Sequence, residues 1–141
     1  EFPEHTYIQQ GVYDIMLVAS TQNNCRDTFV LDAGVEALTK GDISIPNAFT
    51  PNPNGGNGGL FTNQDTDNDV FHPIVVGADE YELNIFNKWG ELIFISTDVN
   101  IGWDGYYRGD LSKQDVYIYK VEVRFIDGRT DSFVGDVTLL R

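Results

Sequence analysis

The chain has 141 residues, 41% of them hydrophobic and 13% aromatic, enough to bury a core and too apolar for global disorder. Nine Lys and Arg against 22 Asp and Glu give a formal net charge of −13, a field that repels nucleic-acid phosphates and anionic lipid heads, so no nucleic-acid partner is expected. No apolar run reaches the roughly 18–20 residues of a membrane-spanning helix, so no direct membrane insertion is expected, and Glu1-Phe2-Pro3-Glu4-His5 lacks the charged and apolar regions of a secretory signal.

Period-two alternation dominates, with turn chemistry between the runs. Val12 to Ser20 places Tyr13, Ile15, Leu17 and Ala19 on one face, and Cys25 to Ala33 is a second run in which Phe29 and Leu31 share a side. A polar patch from Thr39 to Asp42 interrupts the pattern, which sets a domain boundary near Glu36 to Asp42, and Ile43-Ser44-Ile45-Pro46 opens a new short strand. Residues 51–69 read as a long loop of Pro, Asn, Gly-Gly pairs and alternating Asp, whose only core-forming candidates are Leu60 and Phe61. The glycine-rich part, Asn54 to Gly59, has no lysine and no following helix for a phosphate site and reads as a flexible loop.

Strand character resumes at Val70 to Val76. Glu80 to Asn87 puts Tyr81, Leu83 and Ile85 on one side; Lys88-Trp89-Gly90 turns the chain into Glu91 to Ser96, where Leu92 and Phe94 share a face. Gly102-Trp103-Asp104-Gly105 is a further turn. Val116 to Phe125 directs Tyr117, Tyr119, Val121, Val123 and Phe125 inward, and Asp127-Gly128 predicts a two-residue type I′ hairpin into a last strand, Thr130 to Leu140, with Phe133, Val137 and Leu139 on one face. No stretch sustains a helical period over three turns. Short strands separated by turns, without βαβ alternation, predict an all-β fold: an antiparallel, immunoglobulin-like β-sandwich of about 7–8 strands, preceded by strands of a partial second domain.

Enzyme motifs are absent: no G-x-S-x-G elbow, no H-E-x-x-H, no Gly-Lys-Ser/Thr phosphate loop and no paired cysteines, so no catalytic residues are assigned. Cys25 is the single cysteine and reads as a half-buried thiol; with only His5 and His72 to help, it does not make a zinc site. Asp65, Asp67 and Asp69 alternate like the first ligands of a calcium loop, with Asn54 and Asn68 as helpers. Val70 and Val76 then stand where the glycine and the bidentate glutamate belong, so a solvated acidic loop competes with calcium. Trp89, Trp103, Tyr106 and Tyr107 offer sugar-stacking platforms, the basis of an alternative reading as a carbohydrate- or surface-binding module; tryptophans beside glycines at hairpin ends more often plug a sandwich.

The string itself resembles a known family. Ile45-Pro46-Asn47-Ala48-Phe49-Thr50-Pro51-Asn52, Asn68-Asp69-Val70-Phe71-His72-Pro73, Tyr81 to Phe94 and Gly102-Trp103-Asp104-Gly105 are similar to the type B C-terminal sorting domain of the type IX secretion system, the gliding motility-associated C-terminal domain of Bacteroidetes. Val116-Tyr117-Ile118-Tyr119 and the closing Gly135-Asp136-Val137-Thr138-Leu139-Leu140-Arg141 continue the likeness. The family's compact Asn-Gly-Asp-Gly-x-Asn-Asp turn is expanded here from Pro53 to Asp67. Residues 5–31 resemble the last strands of a PKD domain, through His5-Thr6-Tyr7, Gly11-Val12-Tyr13 and Cys25-Arg26-Asp27-Thr28, which suggests that Cys25 has lost a disulfide partner upstream.

These resemblances imply a PKD-like remnant over 1–40 and a sorting domain over 41–141. The implied function is a folded address with no enzymatic activity and no required cofactor. It directs a surface protein or adhesin through the periplasm and across the outer membrane of a Gram-negative bacterium, and docks it on a PorP/SprF-like outer-membrane β-barrel. The implied partner-recognition residues are Val137, Thr138, Leu139, Leu140 and Arg141, with Trp89, Gly90, Trp103, Asp104, Gly105, Asp127 and Gly128 as structural motifs.

Overall fold

A computed structural model of the chain describes residues 5, 7, 11–37, 40–61 and 67–141. The fold is all-β, without a helix among the described residues, and divides into two compact units between Thr39 and Lys40.

The first unit is a hairpin of β1 (Gly11–Ser20) and β2 (Arg26–Ala37). The second strand runs past Ala33, where the alternation was expected to end, because the pairing jumps from Ile15↔Leu31 to Tyr13↔Val35 across an irregularity. Ala33 takes the left-handed conformation there (φ 50°), and its N–H donates to Asp14 Oδ1 at 2.8 Å, which satisfies the displaced backbone. Apolar side chains line both faces of the ribbon and are exposed on both, Leu17 and Phe29 on one, Met16 and Val30 on the other. Cys25 is exposed, not half-buried, because it lies beside the hairpin turn.

The second unit contains β3 (Asp42–Ser44), β4 (Ala48–Phe49), β5 (Ile74–Val76), β6 (Ala78–Phe86), β7 (Leu92–Ser96), β8 (Tyr106–Tyr107), β9 (Asp110–Leu111), β10 (Val116–Phe125) and β11 (Thr130–Leu139). A five-stranded sheet in the order β4-β11-β10-β6-β7 is accompanied by the two-stranded pairs β3-β5 and β8-β9. Its inward face buries the residues that the alternation selected: Tyr81, Leu83 and Ile85 from β6, Tyr117, Val121, Val123 and Phe125 from β10, Val137 and Leu139 from β11. Phe49, Phe71 and Trp103 complete the core.

Several local expectations are corrected. The β4–β11 pairing is parallel, so the sheet is not wholly antiparallel; a two-residue strand far back in sequence reaches the last strand without a hairpin. In β7 the core residue is Ile93, while Leu92 is exposed: Phe86 pairs with Leu92 but Ile85 with Phe94, and the extra residue of this bulge turns Ile93 inward. The run from Val70 forms a strand only over Ile74–Val76, since Phe71 pairs with Trp103 in an isolated bridge. In the long loop Leu60 is exposed and Pro51 and Gly59 are buried, the reverse of what hydrophobicity alone suggests.

Asp127-Gly128 does not form a two-residue type I′ turn. Gly128 N–H donates to the Phe125 carbonyl (2.9 Å) and Phe125 N–H to the Arg129 carbonyl (2.8 Å), and only Gly128 has a positive φ (84°), which makes a three-residue loop closed by a left-handed third residue. The same bonding recurs around Asn24 (φ 63°) and Gly90 (φ 78°), so three hairpins share one turn design. The two-residue turn with both φ positive occurs instead at Arg108-Gly109, between β8 and β9.

Candidate recognition site

Three features of the second unit meet around its last strand. The first is the strand itself. Val137 and Leu139 are fully buried, and the strand pairs to β10 through Tyr117↔Val137 and Val116↔Thr138. On the other side the Ile45–Asn52 segment clamps the strand: Thr138 N–H donates to the Asn47 carbonyl (2.9 Å) and Leu140 N–H to the Phe49 carbonyl (2.8 Å). Arg141 is tied as well, its guanidinium donating to the carbonyls of Ser112 (2.7 Å) and Leu111 (3.3 Å). Of the five residues singled out for recognition, Leu140 and Arg141 are exposed and Thr138 is half-buried, while Val137 and Leu139 are core.

The second feature is a knot around Trp103, whose side chain is fully buried. Its backbone exchanges two bonds with Phe71 (2.8 and 2.9 Å), its indole Nε1–H donates to the Tyr106 carbonyl (3.0 Å), and its ring packs on Phe49 and Tyr117. Asp104 then holds two partners, accepting from Tyr106 N–H through Oδ1 (3.1 Å) and from Gly58 N–H through Oδ2 (3.1 Å). Gly102 N–H bonds the Gly59 carbonyl at 2.8 Å, and a Cβ on Gly59 would lie 1.8 Å from the Gly102 oxygen. The Asn54–Gly59 stretch is therefore docked rather than a flexible loop: glycine is needed because two backbones touch. Tyr106 is half-buried and engaged through its hydroxyl with the Asn52 carbonyl (2.8 Å), and Trp103, fully buried, is not an open sugar platform.

The third feature is the Trp89 turn. Asn87 Oδ1 accepts from the N–H groups of Trp89 and Glu91 (3.0 Å each), and Asn87 Nδ2 donates to Glu91 Oε2 (2.9 Å). Glu91 also accepts from the Tyr107 hydroxyl (2.8 Å); that bond and the one from Asn87 hold its carboxyl below the ordinary range. Lys88 Nζ meets Asp115 at 2.7 Å, an interaction that lowers the Asp115 pKa and raises that of Lys88. The rigid turn projects Trp89 into solvent at 83% exposure, so it is not a plug of the sandwich. Beneath it lies an open groove of about 480 Å³, lined by Trp89, Ile93, Tyr107, Lys113, Val116 and Tyr117. Alternation does not locate this groove, because its walls come from β7, β8 and β10 and from the segment before β10; the adjacent Trp and Gly in the turn were the only signal.

The acidic loop does not assemble a metal site from the described residues. Asp65 lies outside them, Asp67 and Asp69 remain, and no three His, Cys, Asp or Glu groups converge among the residues described. Asn68 holds the loop in place instead. Its carbonyl accepts from Thr50 N–H (2.7 Å) and its Nδ2 donates to the Ala48 carbonyl (3.3 Å), fastening the loop to the segment that clamps the last strand.

Compared with known families, residues 43–139 match the model described as CHU_C Type IX secretion signal domain. No curated protein sequence and no solved structure matches the chain.

Proposed function

The chain belongs to the type IX secretion signal domain family, and from that premise we propose that the folded second unit, rather than a linear tag, is what the secretion machinery reads. Membership makes the domain a sorting signal that engages that machinery and sends the protein carrying it to the cell surface or the medium. The observation that carries the finer reading is the clamp on the last strand: two buried side chains and backbone bonds to Asn47 and Phe49 make its residues part of the core, so they contribute to recognition by building the surface around them.

The destination in this reading is a PorP/SprF-like outer-membrane β-barrel, and the cargo is a surface protein or adhesin. The free edges of the five-stranded sheet support docking by strand pairing. The first unit reads as the tail of a PKD-like domain; apolar residues on both faces of its ribbon support burial against further strands.

Fusing the 141-residue chain behind a passive reporter, in a bacterium with a type IX system and in a strain lacking it, tests this reading. Reporter on intact cells or in the medium only in the competent strain is the expected result. Retention in both strains would overturn it.

A further inference from the structure

The five-stranded sheet has two free edges, and they are built differently. Along β11 the uncovered stretch, residues 130–136, carries Asp131 and Asp136, carboxylates of the kind that keep an edge from pairing. At the other end β7 reads Leu92-Ile93-Phe94-Ile95-Ser96, without a charge or a proline, and no backbone bond is made on its outer side among the described residues. Leu92 and Ile95 are exposed, Ile95 at 55%. An uncharged, apolar, unpaired edge invites strand addition.

The strand begins shortly after Trp89, the most exposed large hydrophobic side chain described, and its Ile93 forms part of the groove floor. Cations gather at the groove, beside Asp115, which also lines it. Residues 40–141 hold eight Lys and Arg against sixteen Asp and Glu, yet Lys88, Arg108, Lys113 and Arg141 all lie at this end. Lys88 and Lys113 line the groove, Arg108 lies over the Tyr107 ring, and Arg141 is bonded to the Ser112 carbonyl. Of the other four cations, three are matched or outnumbered: Lys120 by Glu122, Arg124 by Asp79 and Glu80, Arg129 by Asp127 and Asp131. Lys88 and Arg108 have carboxylate partners, whereas Lys113 has none among the described residues.

We infer that the β7 edge and the Trp89 groove form the surface on which the secretion machinery docks, by adding an extended protein segment alongside β7. The segment places an apolar side chain against Trp89 and a carboxylate toward Lys113. This assignment rests on the sorting-signal reading above. A second copy of the chain is the poorer occupant, because each copy carries −13 and the two repel. Exposed tryptophan on a rigid turn beside a groove has the character of a binding hot spot, large in area and low in ordering cost.

The test uses the 141-residue fusion with Trp89→Ala, Ile95→Lys and, as a control on the opposite edge strand, Val134→Lys. All three positions are exposed, so the purified variants should melt as the parent does. Trp89→Ala and Ile95→Lys should each lower the displayed reporter by about tenfold or more, the loss expected for a central hot-spot position, while Val134→Lys is displayed normally. Normal display of both β7-side variants overturns the surface and leaves the sorting reading intact. Failure of the parent fusion itself overturns both. An equal loss with Val134→Lys overturns the edge assignment in favour of the whole sheet face. A dimer of the purified chain abolished by Ile95→Lys assigns the edge to a second copy, and Trp89-dependent binding to phosphatidylglycerol vesicles assigns it to lipid; either result overturns a protein strand as occupant.

Discussion

Gly128 shows how a single backbone angle sets a hairpin. Its φ of 84° is left-handed, and a Cβ added there meets nothing within 4 Å, so the cost of substitution is conformational and not steric. Gly128→Val should lower the unfolding free energy by about 1–2 kcal/mol, measured by urea denaturation, whereas Gly128→Asn should cost less, as Asn24 holds the equivalent place in the first hairpin. Asp127 supports the same turn. The Arg129 N–H, and then that of Gly41, hold its carboxyl below the ordinary carboxylate value. A depressed folded-state pKa contributes stability that is complete above the unfolded value of 3.8 and lost as pH falls through the folded one. Asp127→Ala should therefore melt below the parent at neutral pH, with the gap narrowing as pH drops below 3.8. The sequence located this turn through its Asp-Gly pair but not its type, because turn type depends on which residues close the loop. The pair that does adopt two positive φ values, Arg108-Gly109, begins with a residue that carries no turn signal.

At the scale of elements, alternation was a reliable guide wherever a strand is regular. Every inward residue assigned to β6 and β10 is buried or half-buried. It failed at β7, where one bulge exchanges Leu92 for Ile93, because periodicity carries no information about an extra residue in one partner. It also gave no sign that Ala48–Phe49 lies parallel to the last strand, a pairing between residues some ninety positions apart. The consequence can be measured. Deleting residues 137–141 removes two fully buried side chains, each contributing roughly 1.5–3 kcal/mol, and leaves the Asn47 and Phe49 carbonyls without their donors. The truncated chain should lose its cooperative thermal transition. Arg141→Ala removes only the bonds to Ser112 and Leu111, and should cost about 0.5–1.5 kcal/mol, so it separates the anchoring of the terminus from the burial of the strand. A truncated chain that melts like the parent would remove the clamp from the account.

For the molecule as a whole, the two units differ in what they can sustain alone. A two-stranded ribbon exposing Leu17 and Phe29 on one face and Met16 and Val30 on the other buries no side chain fully among the described residues, while residues 40–141 build a core around Trp103. Limited proteolysis should leave a resistant fragment beginning near residue 40, and complete digestion would contradict that. What the sequence made legible was the family, through motifs that the fold joins: the Ile45–Asn52 segment clamps the last strand, Asn68 holds that segment, and Trp103 pairs with Phe71. The recognition surface was less legible because it is assembled from separate strands and a turn, and a string of residues does not show which edge of a sheet is left unguarded. The central claim is that the fold itself is the address. The measurement that tests it most directly is protease accessibility, on intact type IX-competent cells, of a reporter fused to the 141-residue chain and to the chain lacking residues 137–141. The account predicts a cleavable, surface-exposed reporter for the first and a protected one for the second; equal surface exposure of both would contradict it.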